Sequence, residues 1–252
     1  MSGHSKWANI KRQKAVVDAK KGAVYARMSR EIIVAAKLGG GDVNANFRLR
    51  QAVDRAKAEG VPNDNIARAI EKGAGGGAAG NMEELIYEGY GPGGVAIMVR
   101  CATDNRNRTA GDLRSYFAKY GGNLGDTGCV SWQFKERGEV SVAKKRNLDE
   151  EALLNAALEL GAEDIDNSQE EVVLVVCPPS LVQGIKDGLN SKGFEVLSAE
   201  ATLSPQSTVE IADKEAAKQL MRLLDQVENQ DDVQQVYANF EMDPAWVQEF
   251  LG

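Results

Sequence analysis

Cationic side chains that could hold a polyanion are concentrated at the start of the chain. Between residues 6 and 30, only Asp18 opposes eight Lys and Arg residues: Lys6, Lys11, Arg12, Lys14, Lys20, Lys21, Arg27 and Arg30. Because this charge is one-sided, few salt bridges within a helix can offset its self-repulsion. The run therefore predicts contacts with nucleic-acid phosphates, and a solvated helix face is the alternative interpretation.

Trp7 stands among these cations, close to His4. An indole in such a place can stack on a base or a sugar. On a helix, Trp7, Lys11 and Lys14 follow the spacing i, i+4, i+7 and share one face. We therefore add His4 and Trp7 to the predicted nucleic-acid contacts. A buried Trp7 that anchors the leading helix is an equally good interpretation of this residue.

A second group of candidate phosphate ligands lies between a predicted strand and a predicted helix, from Thr103 to Thr109. Backbone N–H groups at a helix N-terminus attract phosphate, and Arg106 and Arg108 add bidentate donors. The same residues also fit a capped turn whose arginines pair with acidic residues of the protein. Both interpretations stay open. Further along the chain, Asp231 and Asp232 are expected to form a solvated strand start.

The residue types that catalysis requires are sparse. Gly89 to Gly94 satisfy G-x-G-x-x-G, but they precede a strand, and Pro92 lacks an N–H group, so they predict a tight turn rather than a nucleotide site. His4 is the only histidine, which is too few for a catalytic triad in a rigid pocket or for two zinc ligands. We predict no enzymatic activity, no catalytic residues, no cofactor, no metal and no small-molecule substrate.

Charge is divided unevenly along the 252 residues. Residues 1–75 carry a net charge of +8, whereas residues 76–252 carry −15. This division predicts one module that meets a polyanion and another that does not. Three widely spaced cysteines, the lack of a leader sequence and the lack of a long apolar run favour a cytoplasmic protein without a membrane partner.

Periodicity predicts helices in the basic part and alternating strands and helices after it. Apolar residues recur every three to four positions from Val24 to Ala35, and Asn63 is expected to cap a later helix. The glycine-rich stretch 73–80 predicts a linker that decouples the two parts. Beyond it, strands are expected at 95–101, 129–134 and 139–143, among others.

These elements predict an α+β protein with a helical bundle followed by two ferredoxin-like α/β domains, one inserted into the other. The predicted bounds are 1–78 for the bundle, 81–136 plus 205–252 for the outer α/β domain, and 137–204 for the inserted one. Two α/β domains in sequential order are the alternative.

Several stretches together resemble the YebC/PmpR family, to which the mitochondrial translational activator of cytochrome oxidase also belongs. The matching stretches are residues 3–11, 87–96, 103–109, 121–125 and 232–240. The resemblance implies three domains and a protein that is not an enzyme. One departure is the stretch 44–50, where family members often have a proline before Arg48-Leu49-Arg50.

The resemblance implies two descriptions of function, a DNA-binding regulator of transcription and a ribosome-associated translation factor that helps at difficult peptide sequences. The residues favour RNA, because no segment resembles a helix-turn-helix reader and a basic terminus with Trp7 suits rRNA phosphates and unstacked bases. We therefore predict a translation factor that contacts rRNA and relieves stalling. DNA-binding transcription regulation is the alternative.

Overall fold

The computed structural model describes residues 21–75, 81–146, 148–167 and 171–251. Residues 133–207 form one compact unit, and the chain before and after them forms a larger one. Among the residues described, no helix is long and apolar enough to cross a membrane.

The larger unit is built from elements that precede the smaller unit in the sequence and from elements that follow it. In chain order, they and the elements of the smaller unit are α1 (Lys21–Gly39), α2 (Phe47–Ala58), α3 (Asn63–Ala74), β1 (Glu83–Tyr90), β2 (Ala96–Thr103), α4 (Arg106–Lys119), β3 (Asn123–Leu124), β4 (Phe134–Ala143), α5 (Glu150–Glu159), β5 (Asp164–Asp166), β6 (Val172–Cys177), α6 (Val182–Ser191), β7 (Val196–Pro205), β8 (Val209–Glu210), α7 (Lys214–Glu228), β9 (Val233–Ala238), β10 (Phe240–Glu241) and α8 (Pro244–Leu251).

Helix α1 is the centre of the helical part. Its residues Ile32–Ala36 are all buried, and five consecutive buried residues mean that the helix is covered on every side. Helices α2 and α3 pack against it. The junction between α1 and α2 depends on buried Asn46, whose side-chain amide donates to Ala35 O and Gly40 O at 2.8 Å each.

Helix α2 begins at Phe47, and its cap residue is Asn46. The Asn46 side chain accepts a hydrogen bond from Leu49 N at 3.0 Å, so it supplies the helix cap. The next helix departs from the prediction. Pro62 occupies the cap position of α3 and makes no side-chain cap, and Asn63 is already the first helical residue.

The larger unit contains a four-stranded antiparallel sheet in the order β3-β1-β2-β9. Helices α4 and α7 cover one face, with Leu113, Phe117 and Leu220 fully buried against the sheet. The helical part covers the other face, since Met82 and Ala102 belong to its hydrophobic core. Coverage on both faces explains why β2 is buried along nearly its whole length.

Polar contacts also join the helical part to this sheet. Lys37 Nζ donates to Met82 O at 2.9 Å, and Arg48 Nη2 lies 2.6 Å from Glu84 Oε1. The expectation that the glycine-rich stretch decouples these two parts is therefore wrong for the residues described, because α1 and the sheet share a core.

The smaller unit has the β-α-β-β-α-β order β4-α5-β5-β6-α6-β7. Its four strands are antiparallel in the order β5-β6-β4-β7, which is the ferredoxin-like arrangement. Its core lies between the sheet and the two helices and includes Val140, Leu153, Val175, Ile185 and Leu189.

Strand β4 differs from the prediction. The strand expected at 139–143 is confirmed as the end of β4, whereas residues 131–133 of the strand expected at 129–134 form a short 3-10 turn before β4. The buried carboxylate of Glu88 accepts hydrogen bonds from Gly128 N, Val130 N and Ser131 N at 2.8 to 2.9 Å. These amides are therefore unavailable to a strand ladder.

The close approach of α1 and α3 at Gly73 gives a first prediction. A Cβ there would lie 2.5 Å from Ile33 O and 2.7 Å from Ala36 Cβ, so we expect Gly73→Ala to destabilise the protein. The steric cost should reach the upper part of about 1–3 kcal/mol. Urea denaturation measures it.

The matched control is Gly111→Ala in α4, where an added Cβ meets no atom within 4 Å. That change should instead stabilise the protein by roughly 0.5–1 kcal/mol through helix propensity. Equal effects of the two substitutions would contradict the close contact at Gly73.

Candidate nucleic-acid interface

Most of the predicted cationic ligands precede the described part of the chain. His4, Lys6, Trp7, Lys11, Arg12, Lys14 and Lys20 lie outside the described residues. Lys21 is the first residue of α1, and for Lys21 only the backbone is described. The remaining four candidates, Arg27, Arg30, Arg106 and Arg108, all lie in the larger unit.

Arg27 and Arg30 turn toward the acidic loop, which we define as Glu228–Asp232 between α7 and β9. Arg27 Nη2 donates to Glu228 O at 2.8 Å, and Arg30 Nη1 donates to Asp231 O at 2.6 Å. Arg30 Nε also lies 3.7 Å from Asp232 Oδ1. Two side chains from one turn of α1 thus donate hydrogen bonds to the acidic loop. These bonds hold α1 beside that loop.

Asp232 is the point where these contacts converge. Its side chain is only 2% exposed, so the expectation of a solvated strand start is wrong for this residue. Its Oδ2 accepts from Arg108 Nη2 at 2.9 Å and from Thr109 Oγ1 at 2.8 Å, and it lies 3.2 Å from Thr103 Oγ1. A buried carboxylate needs such donors, because an unpaired buried charge is costly.

The balance of these effects lowers the pKa of Asp232. Burial by itself raises the pKa, but the hydrogen bonds from Arg108 and Thr109, together with the Arg108 charge, outweigh burial. The same pairing raises the pKa of Arg108. Asp232 is therefore an ionised carboxylate whose charge stabilises the fold.

The Thr103–Thr109 stretch forms the capped turn that was one of its two interpretations. The Asn105 side chain accepts from Arg108 N at 3.1 Å and caps α4, and Thr103 Oγ1 accepts from Asn105 N at 3.0 Å. Arg108 pairs with Asp232 and, at 3.0 Å, with Asp104. Arg106 is exposed, and its side chain has no ion pair among the residues described.

Helices α2 and α3 are joined by the four residues from Glu59 to Pro62, a connection length that helix-turn-helix proteins also use. The exposed surface of α3 does not suit a helix that enters a groove of DNA. It carries Asp64 and Glu71 as well as Arg68 and Lys72, so its charges cancel. Arg68 is also bound locally, with Nη2 2.6 Å from Asn65 Oδ1.

The Gly89–Gly94 stretch turns the chain from β1 into β2. Gly91 N donates to Val95 O at 2.8 Å, and Gly93 and Gly94 have positive φ angles of 73° and 77°. A Cβ on Gly91 would lie 2.8 Å from Ile97 Cδ1, so the loop packs on the core. The stretch is the tight turn of a hairpin, as predicted, and no helix follows it.

The importance of Asp232 gives a second prediction. Asp232→Asn removes the charge that Arg108 and Arg30 face, so we expect it to lower the free energy of unfolding by about 1.5–3 kcal/mol. Asp104→Asn is the matched control. It removes a partner of Arg108 that is 60% exposed, so it should cost at most about 1 kcal/mol.

The difference in the free energy of unfolding between wild type and Asp232→Asn should decrease as the pH falls into the acid range. The pKa of Asp232 in the folded state is lower than its ordinary value of 3.8. The contribution of this carboxylate to the free energy of unfolding is therefore complete above pH 3.8. It is lost as the pH falls through the folded pKa. Chemical denaturation at several pH values should show a constant gap between wild type and Asp232→Asn at neutral pH and a shrinking gap in acid. A gap that widens in acid would contradict the assignment.

Comparisons with known proteins agree with this architecture. The family model for the TACO1/YebC protein N-terminal domain matches residues 5–76, and the model for the TACO1/YebC second and third domain matches residues 82–240. A conserved hypothetical protein of Aquifex aeolicus, known from a crystal structure, superposes with a TM-score of 0.83 at 47% sequence identity. That match covers 91% of this chain and 93% of the other.

Curated relatives match along almost their whole length. A protein of Desulfitobacterium hafniense is 53% identical over 242 residues, which is 96% of each chain. A protein of Geobacter sulfurreducens is 47% identical over 251 residues, which is 100% of each chain. Both are named probable transcriptional regulatory proteins. With its order of domains and its sequence both matched from residue 5 to residue 240, this chain belongs to the TACO1/YebC family.

Proposed function

We propose that this chain regulates gene expression as a ribosome-associated translation factor that contacts rRNA and relieves stalling at difficult peptide sequences. The names of its relatives support a regulator of gene expression. The observation that carries the choice of RNA is the combination of a basic leading segment with an α3 surface whose charges cancel. RNA recognition relies on phosphates, shape and unstacked bases and needs no helix that reads the major groove.

The internal contacts of Arg27, Arg30 and Arg108 refine the proposed interface. Donors that are held by the acidic loop are less available to phosphate, so the external contacts fall mainly to residues 4–21 and to Arg106. A guanidinium has five N–H donors and keeps its charge, so the three held arginines still contribute to the local field. Trp7 would supply stacking beside these cations.

The division of charge suggests a division of tasks. We propose that residues 1–78 contact the nucleic acid and that the two α/β parts, 81–136 with 205–252 and 137–204, present that module to its target. The net charge of −15 after residue 75 keeps most of the remaining surface from binding polyanions. The protein would act without a cofactor or a small-molecule substrate.

DNA-binding regulation of transcription is the second candidate, and the names of the relatives favour transcriptional regulation. A duplex reader would be expected to present cations and amides along one exposed helix face, and α3 presents both signs of charge there. We therefore rank it below RNA binding.

Sedimentation of the tagged full-length protein through a sucrose gradient, before and after nuclease treatment, tests the proposal. We expect it to sediment with ribosomes and to be released when rRNA is digested. In parallel, affinities for an rRNA hairpin and for duplex DNA of the same length are measured at several salt concentrations. Absence from the ribosomal fractions, combined with tighter binding to duplex DNA, would favour the transcriptional candidate instead.

The leading segment gives a third prediction, which separates phosphate contacts from stacking. Lys11→Ala and Lys14→Ala should each flatten the log–log salt dependence of RNA binding by about 0.7 to 0.9, since each removes roughly one phosphate contact. Trp7→Ala should weaken binding by roughly 1–3 kcal/mol at an unchanged slope.

Lys145→Ala provides the control for charge alone. Lys145 is exposed in the smaller unit and pairs with Glu195 at 2.6 Å, so its removal should leave the slope unchanged. If Trp7→Ala lowers the melting temperature and leaves affinity intact in the folded protein, Trp7 is a core residue and the stacking role is refuted.

A further inference from the structure

The start of α2 presents a large aromatic ring to solvent. Phe47 is the first residue of this helix and is 45% exposed. No aromatic or cation–π partner of its ring is found in the described part of the chain. Burial of an aromatic ring is favourable in free energy, and the exposed part of this ring does not have that stabilisation. A flat apolar ligand could therefore bind by packing on the exposed face of Phe47.

Arg50 lies three residues further along the same helix and therefore on the same face as Phe47. Its Nε donates to Val43 O at 3.1 Å, and its Nη2 donates to Asn44 O at 2.6 Å. These carbonyls fix the guanidinium without neutralising its charge. Two other arginines of α2 differ, because Arg48 pairs with Glu84 and Arg55 pairs with Glu31.

The backbone adds to the positive potential at this point. Asn46 accepts from Leu49 N, and its carbonyl accepts from Arg50 N. The N–H groups of Phe47 and Arg48 have no acceptor among the residues described, as is usual for a first helical turn. The positive end of the helix dipole therefore coincides with the fixed guanidinium, and both attract an anion.

We propose that Phe47, Arg50 and the first turn of α2 form a nucleotide-binding site for single-stranded RNA. One unstacked base lies on the Phe47 ring, and the adjacent phosphate lies against Arg50 and the free N–H groups. Charge complementarity and the exposed ring together select this occupant, because a nucleotide joins an aromatic face to an anion. The site rests on the proposed RNA-binding function and adds to it a contact outside the leading segment.

The test uses the full-length protein and a 12-nucleotide single-stranded RNA that carries 2-aminopurine, whose fluorescence is quenched when it stacks. Titration of wild type should quench the probe. Phe47→Leu keeps an apolar side chain without a π face, so it should abolish the quenching and weaken binding by about 5- to 150-fold. Phe47→Trp should restore both.

Arg50→Ala tests the phosphate contact separately. It should flatten the log–log salt dependence by about 0.7, the value for one phosphate of a single strand. Lys57→Ala is the matched control, since Lys57 is exposed in the last turn of the same helix. It removes the same charge away from the ring and should leave the quenching unchanged. Melting temperatures of all variants show that they are folded.

The outcomes separate this site from the proposed function. If wild type binds the RNA and Phe47→Leu binds and quenches equally well, the site is wrong while RNA binding stands. Weakened binding of Phe47→Leu with no quenching by wild type would also overturn the stacking contact. If wild type does not bind RNA at any salt concentration, the site and the proposed function fail together.

Discussion

The larger unit depends on one buried carboxylate, that of Asp232. An ion that is almost inaccessible to water is tolerated only when charged or hydroxyl donors surround it. Its donors come from separate elements, because Thr103 ends β2, Arg108 and Thr109 begin α4, and Arg30 belongs to α1. The carboxylate thereby fixes the register of three elements against the start of β9. Moving any of them would leave the charge without part of its solvation.

The need to surround Asp232 with donors also affects the proposed interface, because it determines which cationic side chains remain available to a ligand. The acidic loop takes donors from Arg27 and Arg30, and Asp232 takes them from Arg108. A helix with several arginines therefore presents less free charge than its composition indicates. Arg48 and Arg50 show the same effect within three residues of sequence. Arg48 pairs with the carboxylate of Glu84, whereas Arg50 donates to two backbone carbonyls and forms no ion pair among the described residues.

Local signals predicted much of the fold. The helical period from Val24 to Ala35 is confirmed in α1, and the glycines from 89 to 94 form the expected turn. Strand β1 was not predicted, because its three glutamates and one glycine are unusual in a strand. The strand expected at 129–134 was wrong because Glu88, about forty residues earlier, binds the amides that a ladder would use.

What the sequence could not supply is the set of contacts between distant residues. The pair of Arg108 and Asp232 joins positions 124 residues apart, and no local pattern specifies such a partner. The capped turn and the phosphate site were equally consistent with residues 103–109 for this reason. The choice between them depends on where β9 begins, because Asp232, directly before that strand, meets Thr103 and Arg108 beside the end of β2. The topology therefore decides whether an arginine pairs within the fold or is available to a ligand. Composition gives only the total number of arginines.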